Sequence, residues 1–205
     1  MTEVLPHLRR SDARDNRERI LEAARTVFAA DGPAVPMRRI ARHAGVGPAT
    51  LYRHFPTKEA LVTAAFAGQM RACYAIVDEG LADPDPGRGF TSTIERLCEL
   101  HARDRGFAAA FTAEFPHALD FTTDRERAVK SLARLTRRAR EAGHLRADVE
   151  PSDVILILMA NGGLQAASPA ARVKASRRFA ALAIRGLRPP SGGRLPGATR
   201  RTRGL

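Results

Sequence analysis

Apolar residues recur every three or four positions along most of this chain, which is the spacing of residues on one face of an α-helix. The first such segment predicts a helix over about residues 15–30, which the sequence Asp-Gly-Pro at 31–33 ends. Its apolar face consists of Ile20, Ala24, Val27 and Phe28. This period predicts an all-α chain.

A longer segment of the same kind begins after Thr57, a residue type that caps helix N-termini, and predicts a helix that ends at Gly80. Its apolar stripe consists of Val62, Phe66, Met70, Cys73 and Val77. Residues 83–87, Asp-Pro-Asp-Pro-Gly, then predict a loop. Beyond the loop the periodicity predicts five more helices, over about residues 89–104, 106–116, 123–142, 152–166 and 169–187.

Residues 36–55, between the first two of these helices, have the spacing of two short helices joined by a tight turn. Gly45 can adopt the left-handed backbone that ends the first short helix, and Pro48 suits the first turn of the second. The apolar residues assigned to packing between them are Ile40, Ala44, Leu51 and Phe55. The polar and small residues left over suit contacts to phosphates and base edges, so the stretch predicts a DNA-reading helix-turn-helix and about nine helices in total.

Residues 17–66, and above all the strings IARHAGVG and ATLYRHFPTKEAL, resemble the N-terminal DNA-binding domain of the TetR family of bacterial transcriptional regulators. The resemblance has no gap over this range. The chain departs from the family at Pro36, where many relatives have a Thr or Ser that caps the first motif helix. The rest of the chain is similar to the family in the layout of its helices.

The resemblance implies which residues contact the DNA backbone. Tyr52, His54 and Lys58 match positions that bind phosphates, and Thr50 matches one that contacts backbone or base. Lys58 also lies in the first turn of a helix, where the free backbone amides favour an anion. The alternatives are core packing for Tyr52 and an ordinary solvated position for His54 and Lys58.

A second group of residues matches positions that face the bases. Pro48, Ala49 and Arg53 match positions at the base edges, and Arg38 matches a position at the entry of the first motif helix. One reading helix contacts few base pairs, so we expect two copies of the chain to bind a palindromic operator.

The last two predicted helices favour a homodimer. Residues 154–159, VILILM, are apolar on every face of their helix, and the helix over 169–187 has two apolar faces, which exceeds what one small core needs. We therefore expect these helices to pair with their copies as a four-helix bundle, which the resemblance also implies. The expected interface residues are Ile155, Leu158, Met159, Phe179, Leu182 and Ile184.

Most aromatic residues of the chain fall in the predicted middle bundle. A helical core uses such residues, and the resemblance implies a second interpretation, in which some of them line a pocket for a small apolar or amphipathic effector. The candidate pocket residues are Phe66, Met70, Tyr74, Phe90, Phe107, Phe111 and Phe115, with His101, His117 and Asn161 as polar groups.

The net charge of +12 is concentrated at the two ends of the chain. Residues 1–56 carry a net charge of +4, residues 57–187 of +3 and residues 188–205 of +5. A basic domain with a helix-turn-helix suits a polyanionic partner. We expect a disordered basic arm over 1–12, a DNA-binding domain over 13–56, an effector-binding and dimerisation domain over 57–187, and a disordered basic tail over 188–205.

Other functional classes lack their signals in this sequence. We expect no membrane span, because no run of 18 apolar residues occurs, and no signal peptide, because the N-terminus has no apolar region. Cys73 and Cys98 lack metal-ligand spacing and are expected to be free thiols in a reducing cytoplasm. Residues 57–187 contain no P-loop, hydrolase elbow or GxGxxG motif, so we expect no enzymatic activity, cofactor or metal.

Together these patterns predict a cytoplasmic, homodimeric TetR-like regulator that binds double-stranded operator DNA. The expected mechanism is repression that a small-molecule effector relieves. The alternative is a DNA-binding factor of the same fold without small-molecule control, acting constitutively or through a partner.

Overall fold

The computed structural model describes residues 6–114 and 122–190, and the regular elements in this part of the chain are all α-helices. In chain order they are α1 (Pro6–Asp31), α2 (Met37–His43), α3 (Pro48–His54), α4 (Lys58–Ala82), α5 (Pro86–Arg103), α6 (Arg105–Glu114), α7 (Thr122–Glu141), α8 (Pro151–Gly162) and α9 (Pro169–Leu187). The prediction of an all-α chain with an N-terminal helix-turn-helix domain and a C-terminal helical bundle is confirmed.

Helix α1 begins at Pro6, well before the predicted start near residue 15. The expected arm over residues 1–12 is therefore wrong for residues 6–12, which belong to α1, and residues 1–5 lie outside the described residues. The prediction placed the start of the helix near residue 15, shortly before its apolar stripe begins at Ile20. Between Pro6 and Gly32 the sequence has no proline or glycine, so nothing stops the backbone from continuing as a helix through polar residues.

Helix α5 also begins earlier than predicted, at Pro86 instead of residue 89. The Asp85 carboxylate accepts hydrogen bonds from the backbone N–H groups of Gly87 at 2.9 Å and Arg88 at 3.0 Å, so it caps the helix within the predicted loop. Pro86 is compatible with this start because the first residues of a helix have no intrahelical use for an N–H group.

Helix α8 ends at Gly162, four residues before the predicted end at 166. Gly163 is its C-terminal cap, and the Leu164 N–H donates to the Asn161 carbonyl at 3.2 Å, which tightens the last turn. Two consecutive glycines cost helix stability, so the backbone leaves the helix there although apolar and polar residues continue the periodic pattern.

The apolar residues of α1–α3 form the N-terminal part of one core that continues into the bundle. Ile20 and Phe28 of α1, Ile40 of α2 and Leu51 of α3 are fully buried there. Gly45 has φ of +64° and ends α2, as the sequence predicted. The Arg19 guanidinium of α1 donates to the Ala44 carbonyl at 2.8 Å, so α1 holds the turn between the two motif helices in place.

Helix α4 connects the two domains. Thr57 caps it as predicted, with its hydroxyl oxygen accepting from the Ala60 N–H at 3.1 Å. Its 25 residues give a rod of roughly 37 Å. By length and composition α4 alone among the described helices could cross a membrane, but its apolar residues, among them Leu61, Phe66 and Val77, are buried in the core of the chain.

A buried polar network joins α5, α8 and α9. The Asn161 side-chain amide of α8 donates to the Cys98 carbonyl of α5 at 2.9 Å. The Ser176 hydroxyl of α9 lies 2.7 Å from the Asn161 side-chain oxygen and 3.0 Å from the same Cys98 carbonyl. All three residues are buried, so the network fixes the last two helices to the bundle of a single chain.

Candidate nucleic-acid interface and internal cavity

Helix α3 presents one face to the core and the other to solvent. Leu51 is fully buried and Phe55, directly after the helix, is 3% exposed, whereas Tyr52 is 50% exposed. The predicted packing residues Ile40, Ala44, Leu51 and Phe55 are all buried, which confirms their assignment. The predicted base-facing residues Pro48, Ala49, Arg53 and, on α2, Arg38 are exposed.

The expected phosphate-binding residues lie at the edge of this surface. Thr50, His54 and Lys58 are half-buried, and Lys58 is the first residue of α4. The His54 Nε2 atom is buried and has no hydrogen-bond partner among the described residues, with the ring packed 6.4 Å from that of Phe55. His54 must therefore turn its ring outward before Nε2 can accept or donate a bond outside the protein.

The residue before the first motif helix lacks the cap that many relatives have. Pro36 precedes α2 with φ of −66° and ψ of 143°, and makes no side-chain capping bond. The Arg39 N–H donates to the Pro36 carbonyl at 3.0 Å, so the first turn of α2 is held by a backbone bond and receives no side-chain cap.

The C-terminal bundle contains an apolar cavity of about 70 Å³ between α4, α5, α6, α7 and α8. Of the predicted pocket residues, Met70, Tyr74 and Phe111 line it. The prediction missed its aliphatic walls, which include Cys73, Val77, Leu97, Leu132, Ile155 and Leu158. Cys73 and Val77 belong to an apolar stripe that the sequence showed, but a stripe does not tell a cavity wall from filled core.

The other described pocket candidates do not line this apolar cavity. Phe66 and Phe107 stack with their ring centroids 5.9 Å apart, and Phe66 lies 6.0 Å from Phe28 of α1, so this cluster joins the two domains. Phe90 is fully buried at the other end of α5 and does not line the cavity, and Asn161 is committed to the network described above. Two further candidates, Phe115 and His117, lie outside the described residues.

His101 is the most unusual polar group of the bundle. It is 1% exposed and its ring packs edge-on against Phe107 at 4.9 Å and Phe111 at 4.7 Å. Both ring nitrogens are buried without a hydrogen-bond partner among the described residues. Burial lowers the pKa of His101 to about 4, so the imidazole is neutral at physiological pH.

The two cysteines are free and buried, as predicted. Burial raises the pKa of the Cys73 thiol and of the Cys98 thiol to about 12 each. Both thiols therefore remain protonated, which removes the thiolate that metal binding or nucleophilic chemistry requires.

The expected dimer residues divide into two groups. Leu158 and Ile184 are 3% and 4% exposed in the single chain, so their assignment to an interface is wrong: they fill the core of the protomer. Leu182 is 47% exposed, and Ile155, Met159 and Phe179 are half-buried. Leu156, which the prediction missed, is 60% exposed, because a run that is apolar at every position does not indicate which side faces outward.

Comparison with known proteins agrees with this geometry. Residues 20–65 match the family described as bacterial regulatory proteins, tetR family, and residues 85–189 match the C-terminal domain described as transcriptional regulator SbtR-like. The first match covers α2 and α3 with the ends of the flanking helices, and the second covers the bundle from α5 to α9.

Individual relatives show the same division. An HTH-type transcriptional regulator of Staphylococcus aureus (strain USA300) is 38% identical over 73 residues, and the match spans about a third of each protein, 35% of this chain and 34% of that regulator. A TetR transcriptional regulator of Streptomyces coelicolor is 32% identical, with a TM-score of 0.51 over 85% of this chain and 99% of that one.

A more distant structure has the same fold. The ketosteroid transcriptional regulator KstR2 of Mycobacterium tuberculosis is 18% identical, with a TM-score of 0.63 over 85% of this chain and 95% of that one. The SbtR-like match alone covers half of the sequence, and the tetR match covers the helix-turn-helix domain before it. Both parts of the chain therefore indicate the same family. The chain belongs to the TetR family and is a DNA-binding transcriptional regulator.

Proposed function

We propose that this regulator is a repressor that binds a pseudo-palindromic operator as a homodimer and is released by a small apolar effector. The exposed face of α3, with Pro48, Ala49 and Arg53, reads base edges, and Arg38 assists from α2. The backbone contacts come from Thr50, Tyr52, His54 and Lys58.

The observation that carries this proposal is the course of α4. Its first residue, Lys58, adjoins the reading helix, and Met70, Cys73 and Tyr74 on the same helix line the apolar cavity. Met70 lies twelve positions after Lys58, which is about 18 Å along a helix. We call α1–α3 the reading head. A displacement of α4 at the cavity therefore also moves the first turn of α4, which adjoins the reading helix α3.

The size of the cavity sets the mechanism of release. At about 70 Å³ it is well below the roughly 300–1,000 Å³ of ordinary small-molecule sites, so an effector must push the surrounding helices apart. The expanded state holds the effector and the compact state binds the operator. The effector weakens DNA binding by its difference in affinity for these two states.

The dimer places two reading heads on one face of the DNA. Successive major grooves lie roughly 34–36 Å apart, and a two-fold interface fixes the spacing of the heads. The exposed apolar side chains Leu156 and Leu182, with half-buried Met159 and Phe179, form the surface of α8 and α9 that we assign to this interface.

The small cavity also favours the alternative, a factor of the same fold without small-molecule control. One experiment separates the two. An operator is selected from random duplexes, and repression is measured by transcription in vitro with that operator placed over a promoter. Neutral apolar probes from toluene to decanol are then titrated while operator binding is followed by fluorescence anisotropy.

Repression that a bound probe relieves supports the proposal. Repression that persists although calorimetry shows the probe bound supports the alternative. Activation of the promoter by operator binding contradicts the proposal that the protein is a repressor.

A further inference from the structure

A second cavity lies where the two domains meet, and it is separate from the apolar cavity. It is a cleft of about 320 Å³ between the C-terminal end of α1, the C-terminal end of α5, the first turns of α6 and the end of α8. Ala29 and Ala30 of α1, Ala109 of α6 and Leu164 after α8 form its accessible apolar walls. Phe28, Ala108 and His101, which are almost fully buried, line it at greater depth. About 320 Å³ is the size of an ordinary small-molecule site.

His101 supplies this cleft with an unused hydrogen-bonding group. The side chain is 1% exposed, and neither ring nitrogen has a partner among the described residues. A neutral imidazole has one N–H donor and one acceptor nitrogen. Buried polar groups are nearly always paired, so an imidazole left without a partner at the wall of a cavity points to a bound molecule.

Two arginines give the cleft an unbalanced positive charge. The Arg105 side chain makes no hydrogen bond or ion pair with any residue of 6–114 or 122–190. Arg172 donates from Nε to the Ala102 carbonyl at 2.6 Å, which leaves its two terminal amino groups available. Burial, followed by the neighbouring charge of Arg105, lowers the pKa of Arg172, and Asp104 opposes that shift.

The acidic groups near the cleft are already engaged. The Asp31 carboxylate pairs with Arg39 at 2.8 Å. The Asp104 carboxylate accepts from Gln69 at 2.9 Å and from the Phe107 N–H at 2.9 Å, where it caps α6. Neither Asp31 nor Asp104 forms a salt bridge with Arg105 or Arg172 in the described part of the chain, so an anion from outside can bind both guanidinium groups.

We propose that this cleft binds a small organic carboxylate that carries a hydroxyl group. The carboxylate pairs with Arg105 and Arg172, the hydroxyl bonds to His101 at the deep end of the cleft, and the body of the molecule packs on Ala29, Ala109 and Leu164. The cleft is thus a second binding site, separate from the proposed effector cavity. It is measured without DNA, so its failure leaves the proposed repressor function untouched, and the reverse also holds.

Binding at this place acts on the reading head through α1. Phe28 of α1 lies at the cleft, and Arg19 of the same helix holds the turn before α3 through the Ala44 carbonyl. A ligand whose carboxylate pairs with α6 and α9 while its body packs on the end of α1 fixes the angle between the domains. It changes operator affinity if the DNA-bound state requires a different angle.

Isothermal titration calorimetry of the full chain with three matched probes tests the proposal. The probes are 4-hydroxybenzoate, which has both groups, benzoate, which lacks the hydroxyl, and 4-hydroxybenzamide, which lacks the charge. For a molecule of this size we expect 4-hydroxybenzoate to bind with Kd of about 1 mM or below. Benzoate and 4-hydroxybenzamide should each bind about tenfold more weakly.

Three variants locate the site. Arg105→Gln, an exposed change, should weaken 4-hydroxybenzoate and benzoate about tenfold and leave 4-hydroxybenzamide unchanged. His101→Phe should reduce 4-hydroxybenzoate to the affinity of benzoate. Arg71→Gln, an exposed arginine of α4 away from the cleft, is the control and should change nothing.

The proposal is overturned if 4-hydroxybenzoate has Kd above about 10 mM, or if Arg105→Gln and Arg71→Gln weaken it equally. It is also overturned if inorganic phosphate binds as tightly as 4-hydroxybenzoate, because the cleft then recognises charge alone. Arg105→Gln keeps the test decisive if His101→Phe does not fold.

Discussion

Gly106 at the start of α6 lies directly against Ala29 of α1: a Cβ on Gly106 would come within 3.1 Å of the Ala29 backbone nitrogen. The same Cβ would lie 3.3 Å from the Arg25 carbonyl oxygen and 3.3 Å from the Phe66 ring. Two of these three neighbours are backbone atoms, which cannot move aside as a side chain does. The contact between the DNA-binding domain and the bundle therefore depends on the absence of a side chain at this position.

For Gly106→Ala we expect a loss of about 1–3 kcal/mol in the free energy of unfolding, because the methyl group forces α1 and α6 apart. Operator affinity should change as well, since α1 supports the reading head. Gly68→Ala is the control: a Cβ on Gly68, a glycine inside α4, meets nothing within 4 Å, so this change should stabilise the helix by about 0.5–1 kcal/mol. Urea denaturation of both variants measures the two effects, and equal stabilisation of both would contradict the close contact.

Lys58→Ala should weaken binding to all DNA sequences alike, because a phosphate contact carries no sequence information. The slope of log affinity against log salt should fall by about 0.9 for each phosphate that the lysine neutralises in the parent. Tyr52→Phe should weaken binding without changing that slope, since the hydroxyl is uncharged. Lys130→Ala, an exposed lysine of α7, is the control, and a slope for Lys58→Ala that equals the control removes Lys58 from the interface.

Arg53→Ala should relax the preference for one or two base pairs in each half-site by about 1–3 kcal/mol, as expected when a bidentate bond to guanine is removed. Arg53 is the long charged side chain among the exposed residues of α3, whose other members are Pro48, Ala49 and Tyr52. Selection of operators from random duplexes, performed with the parent and the variant, measures the change. Identical selected sequences would mean that Arg53 contacts backbone alone.

Leu182→Glu should convert the dimer to monomers, because a charge in the centre of a two-fold apolar interface is repeated in the partner. Light scattering in dilute solution should give twice the 22.3 kDa protomer mass for the parent and the single mass for the variant. Val129→Glu is the control for the oligomeric state alone, since Val129 is equally exposed at 47% but lies on α7, where it lines the apolar cavity. If Leu182→Glu remains a folded dimer with normal operator affinity, the interface lies elsewhere.

The stability of the protein should fall as the pH falls from about 6.5 to about 4. The pKa of His101 is lowered from 6.5 to about 4 by burial, so in this window the unfolded chain takes up a proton that the folded chain excludes. Above about pH 6.5 this proton uptake has no effect on the free energy of unfolding. By about pH 4 it has lowered that free energy by up to about 3 kcal/mol. Urea denaturation across this range should show a shallower pH dependence for His101→Phe than for the parent, and parallel curves would contradict the assignment.

The helix-turn-helix could be predicted because local chemistry determines it. Gly45, Leu51 and Phe55 each have a role that depends on neighbours within a few positions, and the structure places all three as expected. Start and end positions were harder to predict where the apolar stripe and the backbone helix differ. Helix α1 extends through polar residues, and α8 stops at its two glycines while the periodic pattern continues.

Positions that depend on long-range packing could not be read from the sequence. Leu156 and Leu158 are neighbours in one apolar run, yet the first is 60% exposed and the second is in the core. Nothing local distinguishes them, since the difference arises from how α8 turns against α5 and α9. The unpaired imidazole of His101 could not be predicted either, because its isolation results from the rings of Phe107 and Phe111 on another helix.

Helix α4 is uninterrupted from Lys58 to Ala82, and this continuity determines where the protein can be recombined with its relatives. A chimera joined inside α4 would rotate the bundle by about 100° around the reading head for each residue gained or lost, because a helix turns once in 3.6 residues. A junction in the short connection at 83–85 keeps α4 intact. The transplanted bundle, α5–α9, then receives the α4 side of its cavity from the other parent. The reading head and the side of the cavity that α4 forms must therefore be exchanged together.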